Sequence, residues 1–468
     1  MILRRPAVLL LFIILSLLPV IIMIGCGGGS GNSASANNGN PNPAPGTPPP
    51  GGTGSTTSTG GGTGSGSGTT TGTGGTTTGG GTTSGGTGTG GGTGSTTGGT
   101  GTGSGGGTTG SGNPASPAQF IYLGRSAVEA FKIDQSTGLA ARVAGSPFNW
   151  SDGFVKDVPV AADPKGRFVY QASTLDFPHG NKIGKNQIVE FKVDRSTGSL
   201  SLIAENSVTL ANQDSGIGGL LINPSGTLMY VSMGSSLLLF AIDASSGALS
   251  LRATLPWEGG MMGAISPNGK YLVGVIGLVE SITIYPLGAD GVPGPASGSV
   301  ATHSYFPNMT VIDPTNRYIL MALAGDDLSP SHGVGVVRIN DDGTPSIVAG
   351  SPYKMVTDPT SITVTPSGQF VYVNAKFGSE IWAFRVEPTT GALIQVPGSP
   401  YTFGGAQAAS GVVTDGTGGF LFVGDFGNTP AVLTYKIDPI TGALSLVPGS
   451  PVPQNGSTFA LGAMYAVP

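Results

Sequence analysis

The stretch Asp163-Pro164-Lys165-Gly166-Arg167-Phe168-Val169-Tyr170 decides the fold. Proline presets φ at the first central position of a turn, and glycine accepts the positive φ that ends one. The alternating run Arg167-Phe168-Val169-Tyr170 then reads as a half-buried strand leaving a hairpin corner.

The unit recurs. Ile222-Asn223-Pro224-Ser225-Gly226 precedes Thr227-Leu228-Met229-Tyr230, and Ile265-Ser266-Pro267-Asn268-Gly269 precedes Lys270-Tyr271-Leu272-Val273. Ile312-Asp313-Pro314-Thr315-Asn316 leads into Arg317-Tyr318-Ile319-Leu320, and Val364-Thr365-Pro366-Ser367-Gly368 into Gln369-Phe370-Val371-Tyr372. Thr414-Asp415-Gly416-Thr417-Gly418 leads into Gly419-Phe420-Leu421-Phe422. A seventh run, Gln119-Phe120-Ile121-Tyr122, has no corner before it. The interval is about 43 to 60 residues, that of propeller blades.

A third strand follows each run, for example Val128–Ile133, Val189–Val193 and Leu433–Ile437. Next comes a Ser/Thr-Gly turn (Thr137-Gly138, Thr197-Gly198, Ser246-Gly247, Thr390-Gly391, Thr441-Gly442). A fourth strand is expected to end in Gly-Ser-Pro, as at 145–147, 350–352, 398–400 and 449–451. Four antiparallel strands repeated radially predict an all-β, seven-bladed β-propeller over residues 117–468. The chain ends in Met464-Tyr465-Ala466-Val467-Pro468, which reads as the first strand the leading unit lacks. The C-terminal strand is thus expected to join the first blade and close the ring, leaving no open edge there.

Ahead of the propeller lie two other kinds of sequence. Arg4 and Arg5 precede an apolar run from Ala7 to Ile24. This is the pattern of a signal peptide, and it is also near the lower length limit of a membrane span. Met23-Ile24-Gly25-Cys26 resembles the lipobox of bacterial lipoproteins, which implies cleavage after residue 25 and a lipid on Cys26, the only cysteine of the chain. The alternative is an uncleaved anchor with Arg4 and Arg5 on the cytoplasmic side. Either way the propeller is expected outside the cytoplasm, held at a bacterial membrane. Residues 26–116 contain no Asp, Glu, Lys or Arg and are dominated by Gly, Thr and Ser. Such a segment buries too little apolar surface to offset chain entropy, so it is expected to be a disordered linker. As a coil of roughly 90 residues it would span about 50–60 Å.

The chain carries 20 basic and 25 acidic residues, a net charge of −5. Two of the basic ones are Arg4 and Arg5, and no basic cluster occurs beyond them, which argues against a nucleic-acid partner. With a single cysteine there is no intrachain disulfide and no Cys-based metal site, and no zinc, EF-hand or nucleophile-elbow motif is present. No metal or cofactor is expected.

The pattern Asp-Pro-x-Gly-Arg-Phe-Val-Tyr, then Phe-x-Val-Asp-x-x-Thr-Gly-x-Leu, then Gly-Ser-Pro resembles the seven-bladed propeller lactonase family. That family includes a propeller-type 6-phosphogluconolactonase and the fungal carboxymuconate cyclase, and its sequences resemble YVTN-type surface propellers. The resemblance implies the same fold and hydrolysis of a lactone ring. Enzymatic members tend to carry His-x-His shortly before an Asp-Pro corner. Here those places read Val155-Lys156-Asp157-Val158, Gly216-Ile217-Gly218-Gly219 and Phe306-Pro307-Asn308-Met309.

In a propeller the loops from second to third strand share one face with the blade-to-blade connections, and function resides on such loops. All three histidines map there: His179 in the loop 174–186, His303 in the connection into blade 5, and His332 in the loop 324–333. Any of them could act as the base that activates water. Arg125, Asp176, Lys182, Glu280, Asp326, Lys376 and Asp425 occupy the same set of loops and are candidate ligand contacts. The reading favoured by the missing His-x-His element is a binding module at the cell envelope, for a small polar ligand, a glycan or an envelope protein. The alternative is a lactonase.

Expression of the Cys26→Ser variant tests the address. A lipoprotein loses its acyl label and its shortening by cleavage after residue 25, whereas an uncleaved span has the same size with and without the substitution and carries no label in either form.

Overall fold

A computed structural model describes residues 119–124, 127–149, 159–173, 186–203, 208–210, 216–276, 280–302, 306–325, 332–375, 379–402, 409–425, 431–454 and 464–467. Residues 1–116, with the expected signal segment, Cys26 and the expected linker, lie outside the described residues. The described residues form seven antiparallel sheets, each with a main path of four strands and four of them with an added two-residue strand, and no helix occurs among them. The molecule is a seven-bladed β-propeller.

Blade 1 is completed from the far end of the chain. Met464–Val467 pairs with Gln119–Gly124, with Tyr465 opposite Tyr122 and Val467 opposite Phe120. In the other blades the first strand opens the unit: Val160–Ala162, Ile217–Ile222, Met261–Ile265, Phe306–Ile312, Pro359–Val364 and Ala409–Thr414. Each first strand touches the first strand of the next blade all the way round, so these strands form the innermost ring.

The corner residue before proline is polar because it caps the strand that follows. The Asp313 carboxylate accepts from the N–H groups of Arg317 and Tyr318, both at 2.7 Å, and Asp415 accepts from Phe420 N at 2.9 Å. Asn223 serves Leu228 N, Ser266 serves Tyr271 N and Thr365 serves Phe370 N. Asp163, Ser266, Asp313, Thr365 and Asp415 are buried, and a buried strand start without such an acceptor would leave an N–H unpaired.

Blades interlock through a residue at the start of the second strand, the first residue in six blades and the second in blade 1. The ring of Phe120 lies over Gly198 in blade 2, Phe168 over Gly247 in blade 3, Tyr318 over Gly391 in blade 6 and Phe370 over Gly442 in blade 7. Leu228 over Gly291 and Tyr271 over Gly343 continue the series, and Phe420 of blade 7 closes it over Gly138 of blade 1. Two residues further on, a tyrosine hydroxyl donates into the same neighbouring turn. Tyr122 reaches Gly198 O, Tyr170 reaches Gly247 O, Tyr230 reaches Gly291 O and Tyr372 reaches Gly442 O, at 2.7–3.1 Å. Burial, with Asp290 adding to it, lifts the Tyr230 phenol to about 12.

The outer strand differs from expectation. Gly-Ser-Pro does not end the fourth strand. In blades 5, 6 and 7 that strand is three residues long, as at Leu393–Gln395, and Gly-Ser-Pro is a turn after it with a cis Ser-Pro bond. The chain then returns as a two-residue strand, such as Tyr401–Thr402, onto the same third strand. The turn serine replaces the missing ladder partner. Ser146, Ser351, Ser399 and Ser450 each accept, at 2.8–2.9 Å, from a third-strand N–H (Ala130, Val336, Ala383 and Thr434). Blade 3 lacks the motif and runs a continuous edge, Leu249–Pro256, broken only by a bulge at Arg252. Both devices interrupt the outermost edge, where an unbroken strand would invite pairing with another chain.

One side chain departs from the pattern. Glu190 stands where blades 1, 3, 5 and 6 have Ala130, Leu239, Val336 and Ala383, and is 4% exposed. Its Oε1 accepts from Leu249 N of blade 3 at 3.1 Å. Burial pushes its carboxyl up to about 7, against the opposing pull of that N–H.

Two outcomes follow from this packing. Gly198→Ala places a Cβ 2.3 Å from the Phe120 ring at φ +80°, and is expected to lose about 2–4 kcal/mol in denaturant unfolding. Gly145→Ala, at φ +85° with its nearest neighbour 3.5 Å away, is expected to lose only about 1–2 kcal/mol. Glu190 binds its proton more tightly folded than unfolded, so its contribution is complete below the ordinary glutamate range and is lost as pH rises through about 7. The melting temperature should therefore fall between pH 5 and 8 by the equivalent of up to about 3 kcal/mol. Glu190→Gln keeps the acceptor and should remove that part of the slope.

Candidate functional site

The second strand of each blade runs toward the face that carries the second-to-third loops, here called the upper face. Of the ten polar and ionisable side chains expected there, His332, Glu280 and Asp425 are described. His179, His303, Arg125, Asp176, Lys182, Asp326 and Lys376 lie outside the described residues.

The structure gives His332 a partner that the sequence did not single out. His332 precedes the third strand of blade 5, Gly333–Ile339, and Asp358 precedes the first strand of blade 6. His332 Nδ1 lies 3.3 Å from Asp358 Oδ1, with the two side chains 30% and 39% exposed. The same oxygen accepts from Gly325 N at 3.2 Å, and His332 O accepts from Met355 N at 3.3 Å. The imidazole is therefore held from the backbone side and from Nδ1, while a third of it faces solvent.

The surroundings fix Asp358 in turn. Asn308, on the first strand of blade 5, donates Nδ2 to Pro359 O at 2.7 Å and so anchors the residue next to Asp358. On the other side, Glu380 Oε2 accepts from Trp382 Nε1 at 3.1 Å and from Thr357 Oγ1 at 3.5 Å. Blades 5 and 6 thus bring Asn308, His332, Thr357, Asp358 and Glu380 to one upper rim.

Glu280 stands at φ +48°, and its carbonyl accepts from both the N–H and the hydroxyl of Thr302, at 2.6 and 2.9 Å. Asp425 ends the second strand of blade 7, opposite Ala409 and Ala431, and is 8% exposed. Among the described residues no group of three His, Cys, Asp or Glu side chains could hold a metal ion.

A carboxylate on Nδ1 selects the tautomer with the proton on that nitrogen, which leaves Nε2 able to accept one. The pair can therefore hold a ligand hydroxyl or take a proton from water.

No family model matches the chain, and no curated protein matches it. Solved structures do. A provisionally named 6-phosphogluconolactonase of Bacteroides fragilis superposes with a TM-score of 0.57 at 16% identity, over 76% of this chain and 100% of its own. A second, from Bacteroides uniformis, gives 0.56 at 17% identity, over 75% of this chain and 100% of its own. The periplasmic gluconolactonase of Pseudomonas aeruginosa gives 0.53 at 13% identity, over 75% and 99%. At these identities the likeness establishes a shared fold. The propeller expected from the corner motifs is the architecture of all three.

Proposed function

We propose that this protein is a membrane-tethered, extracytoplasmic propeller that binds a small hydroxylated ligand on its upper face. The observation that carries the reading is the His332–Asp358 pair, two half-exposed polar groups joined across the junction of blades 5 and 6. An imidazole fixed by a carboxylate presents one directed acceptor, and the neighbouring carboxylate of Glu380 presents another. Hydroxyl groups donate to both. The lipobox-like sequence ending at Cys26 and the long linker support a position outside the cytoplasm.

A second reading rests on the same pair together with the fold shared with lactonases. Water held at His332 Nε2 would give up its proton to the ring as its oxygen attacks a lactone carbonyl. The protonated imidazole, steadied by Asp358, would return that proton to the ring oxygen as the C–O bond breaks. Donors for the developing oxyanion would come from the same face.

Both readings are tested on one protein preparation. A ligand at one hundred times its dissociation constant stabilises the fold by about 2.7 kcal/mol, which a thermal-shift screen of sugars, sugar acids and lactones detects. His332→Gln and Asp358→Asn should each abolish the shift while leaving the unliganded melting temperature within about a degree or two. Lactone turnover is measured beside it against the spontaneous rate. Turnover that falls at least a hundredfold in His332→Gln selects the hydrolase. Binding without turnover selects the module. An intact shift in both variants overturns the assignment of the site.

A further inference from the structure

Repetition lets each blade serve as a control for the others. The first residue of the third strand faces the end of the second strand, at the upper rim. Blades 2, 3, 4, 5 and 7 place Gln187, Ser236, Ser281, Gly333 and Ala431 there, and blade 6 places Glu380. Two residues further on, blades 2, 3 and 7 have Val189, Leu238 and Leu433, blades 4 and 5 have Thr283 and Gly335, and blade 6 has Trp382. Of these blades, blade 6 alone sets a carboxylate on the rim with an indole N–H beneath it. The residue before Glu380, Ser379, is held at φ +47°. Left-handed backbone is unfavourable for a residue with a Cβ, and such strain gathers where the placing of a side chain serves a site.

Trp382 is the fixed point of this arrangement. It is buried in the apolar cluster that blades 5 and 6 share, with Val334, Val336 and Met355 of blade 5. Its ring stacks near Phe384, 6.4 Å away at 16°. Nε1 is thereby aimed at the rim, where Glu380 Oε2 accepts it at 3.1 Å. The same oxygen accepts from Thr357 Oγ1 at 3.5 Å, and Thr357 is the residue before Asp358. Pro359, the residue after, is held from blade 5 by Asn308 Nδ2 at 2.7 Å. A proline also confines the residue ahead of it to extended backbone. Asp358 therefore stands between two neighbours that are tied to different blades.

The pair itself does not supply this order. His332 and Asp358 are 30% and 39% exposed, and a charged contact so open to water contributes little of its own. Its geometry must come from what holds its members.

We propose that Asn308 and Trp382 are positioning residues of the His332–Asp358 site, Asn308 acting through Pro359 and Trp382 through Glu380 and Thr357. The inference rests on the reading of that pair as the ligand site, and it assigns the residues that keep the pair in register. Together they hold the Asp358 carboxylate on Nδ1, which keeps the imidazole proton there and leaves Nε2 as the acceptor. Released from this clamp, the carboxylate turns into water, and the ring carries its proton on either nitrogen.

The test reads the tautomer of His332 with no ligand present. The full-length chain is labelled for nitrogen NMR, and ring correlations are recorded at about pH 8.5, above the ordinary imidazole range. The chain has three histidines, and His332→Gln assigns the signal. The wild type is expected to carry the proton on Nδ1. Asp358→Ala should lower the ratio of the Nδ1–H to the Nε2–H form about tenfold, the worth of one hydrogen bond to a charged group. Asn308→Leu and Trp382→Phe, which each remove one N–H donor, should lower it at least roughly threefold. Glu380→Gln keeps an acceptor for both donors and should leave the ratio as in the wild type, whereas Glu380→Leu should lower it. Circular dichroism and melting curves check folding. A merely structural role lowers the melting temperature and leaves the ratio intact. Should Trp382→Phe fail to fold, Asn308→Leu and Glu380→Leu, both at the rim, carry the test. An unchanged ratio in the folded positioning variants overturns the inference and leaves the His332–Asp358 site standing. A fall in Glu380→Gln as large as in Glu380→Leu overturns the route through Trp382. An unchanged ratio in Asp358→Ala shows that the pair does not set the ring, and the parent reading of the site falls with it.

Discussion

The contact on which this molecule depends is an apolar side chain, most often an aromatic ring, laid over a glycine in the next blade. It is repeated at every junction, from Phe120 on Gly198 round to Phe420 on Gly138. The glycine meets two demands at once. The turn holds it at positive φ, and the neighbouring side chain comes so close that any Cβ would collide with it. The hydrogen bond from tyrosine into the same turn sets the rotation of one blade on the next. A blade's own sheet is only four strands wide, and half of each buried face belongs to a neighbour. Stability is therefore a property of the junctions more than of the blades. The site inherits this order, because His332 and Asp358 belong to different blades and meet only where two blades are correctly set.

Within that frame the blades are not equivalent, and the differences are concentrated at the seams. Glu190 places a carboxyl where the other blades have alanine, leucine, isoleucine, valine or threonine, and the cost is a group that titrates near neutral pH inside the junction of blades 2 and 3. The serine of Gly-Ser-Pro does the opposite. It supplies the ladder acceptor that a broken outer strand withdraws, so the break is nearly free of charge to the sheet. Polar groups at the corners follow the same logic. Where a backbone N–H is buried, a side-chain oxygen within five residues receives it.

The architecture was legible in the sequence because its signals are local. Pro and Gly at fixed offsets, followed by alternating apolar residues, specify a corner and a strand without reference to anything distant. Even ring closure could be read, since Met464–Val467 matched a strand that the first unit lacked. The Gly-Ser-Pro turn was visible as a motif but misplaced, because nothing local shows that a two-residue strand after it returns to pair. The site was far less legible. His332 stood out as one of three histidines, but Asp358 lies 26 positions downstream in a connection with no motif, and only the closing of blade 6 against blade 5 brings it to the imidazole. Asn308 and Gly218 occupy equivalent places in two blades, and both are bulge residues, which shift the alternation on which sequence reading relies.

The closing strand also governs how the propeller answers to force. Gln119–Gly124 receives whatever pull arrives along the chain from upstream, and it is clasped on both sides, by Val128–Ile133 and by Met464–Val467. A terminal strand at a sheet edge can be peeled away one bond at a time. A strand held in the middle of its sheet loads two ladders together when drawn along its own axis, and it can leave only by shearing both. The end of the chain thus works as a mechanical clasp at the point where tension enters the fold.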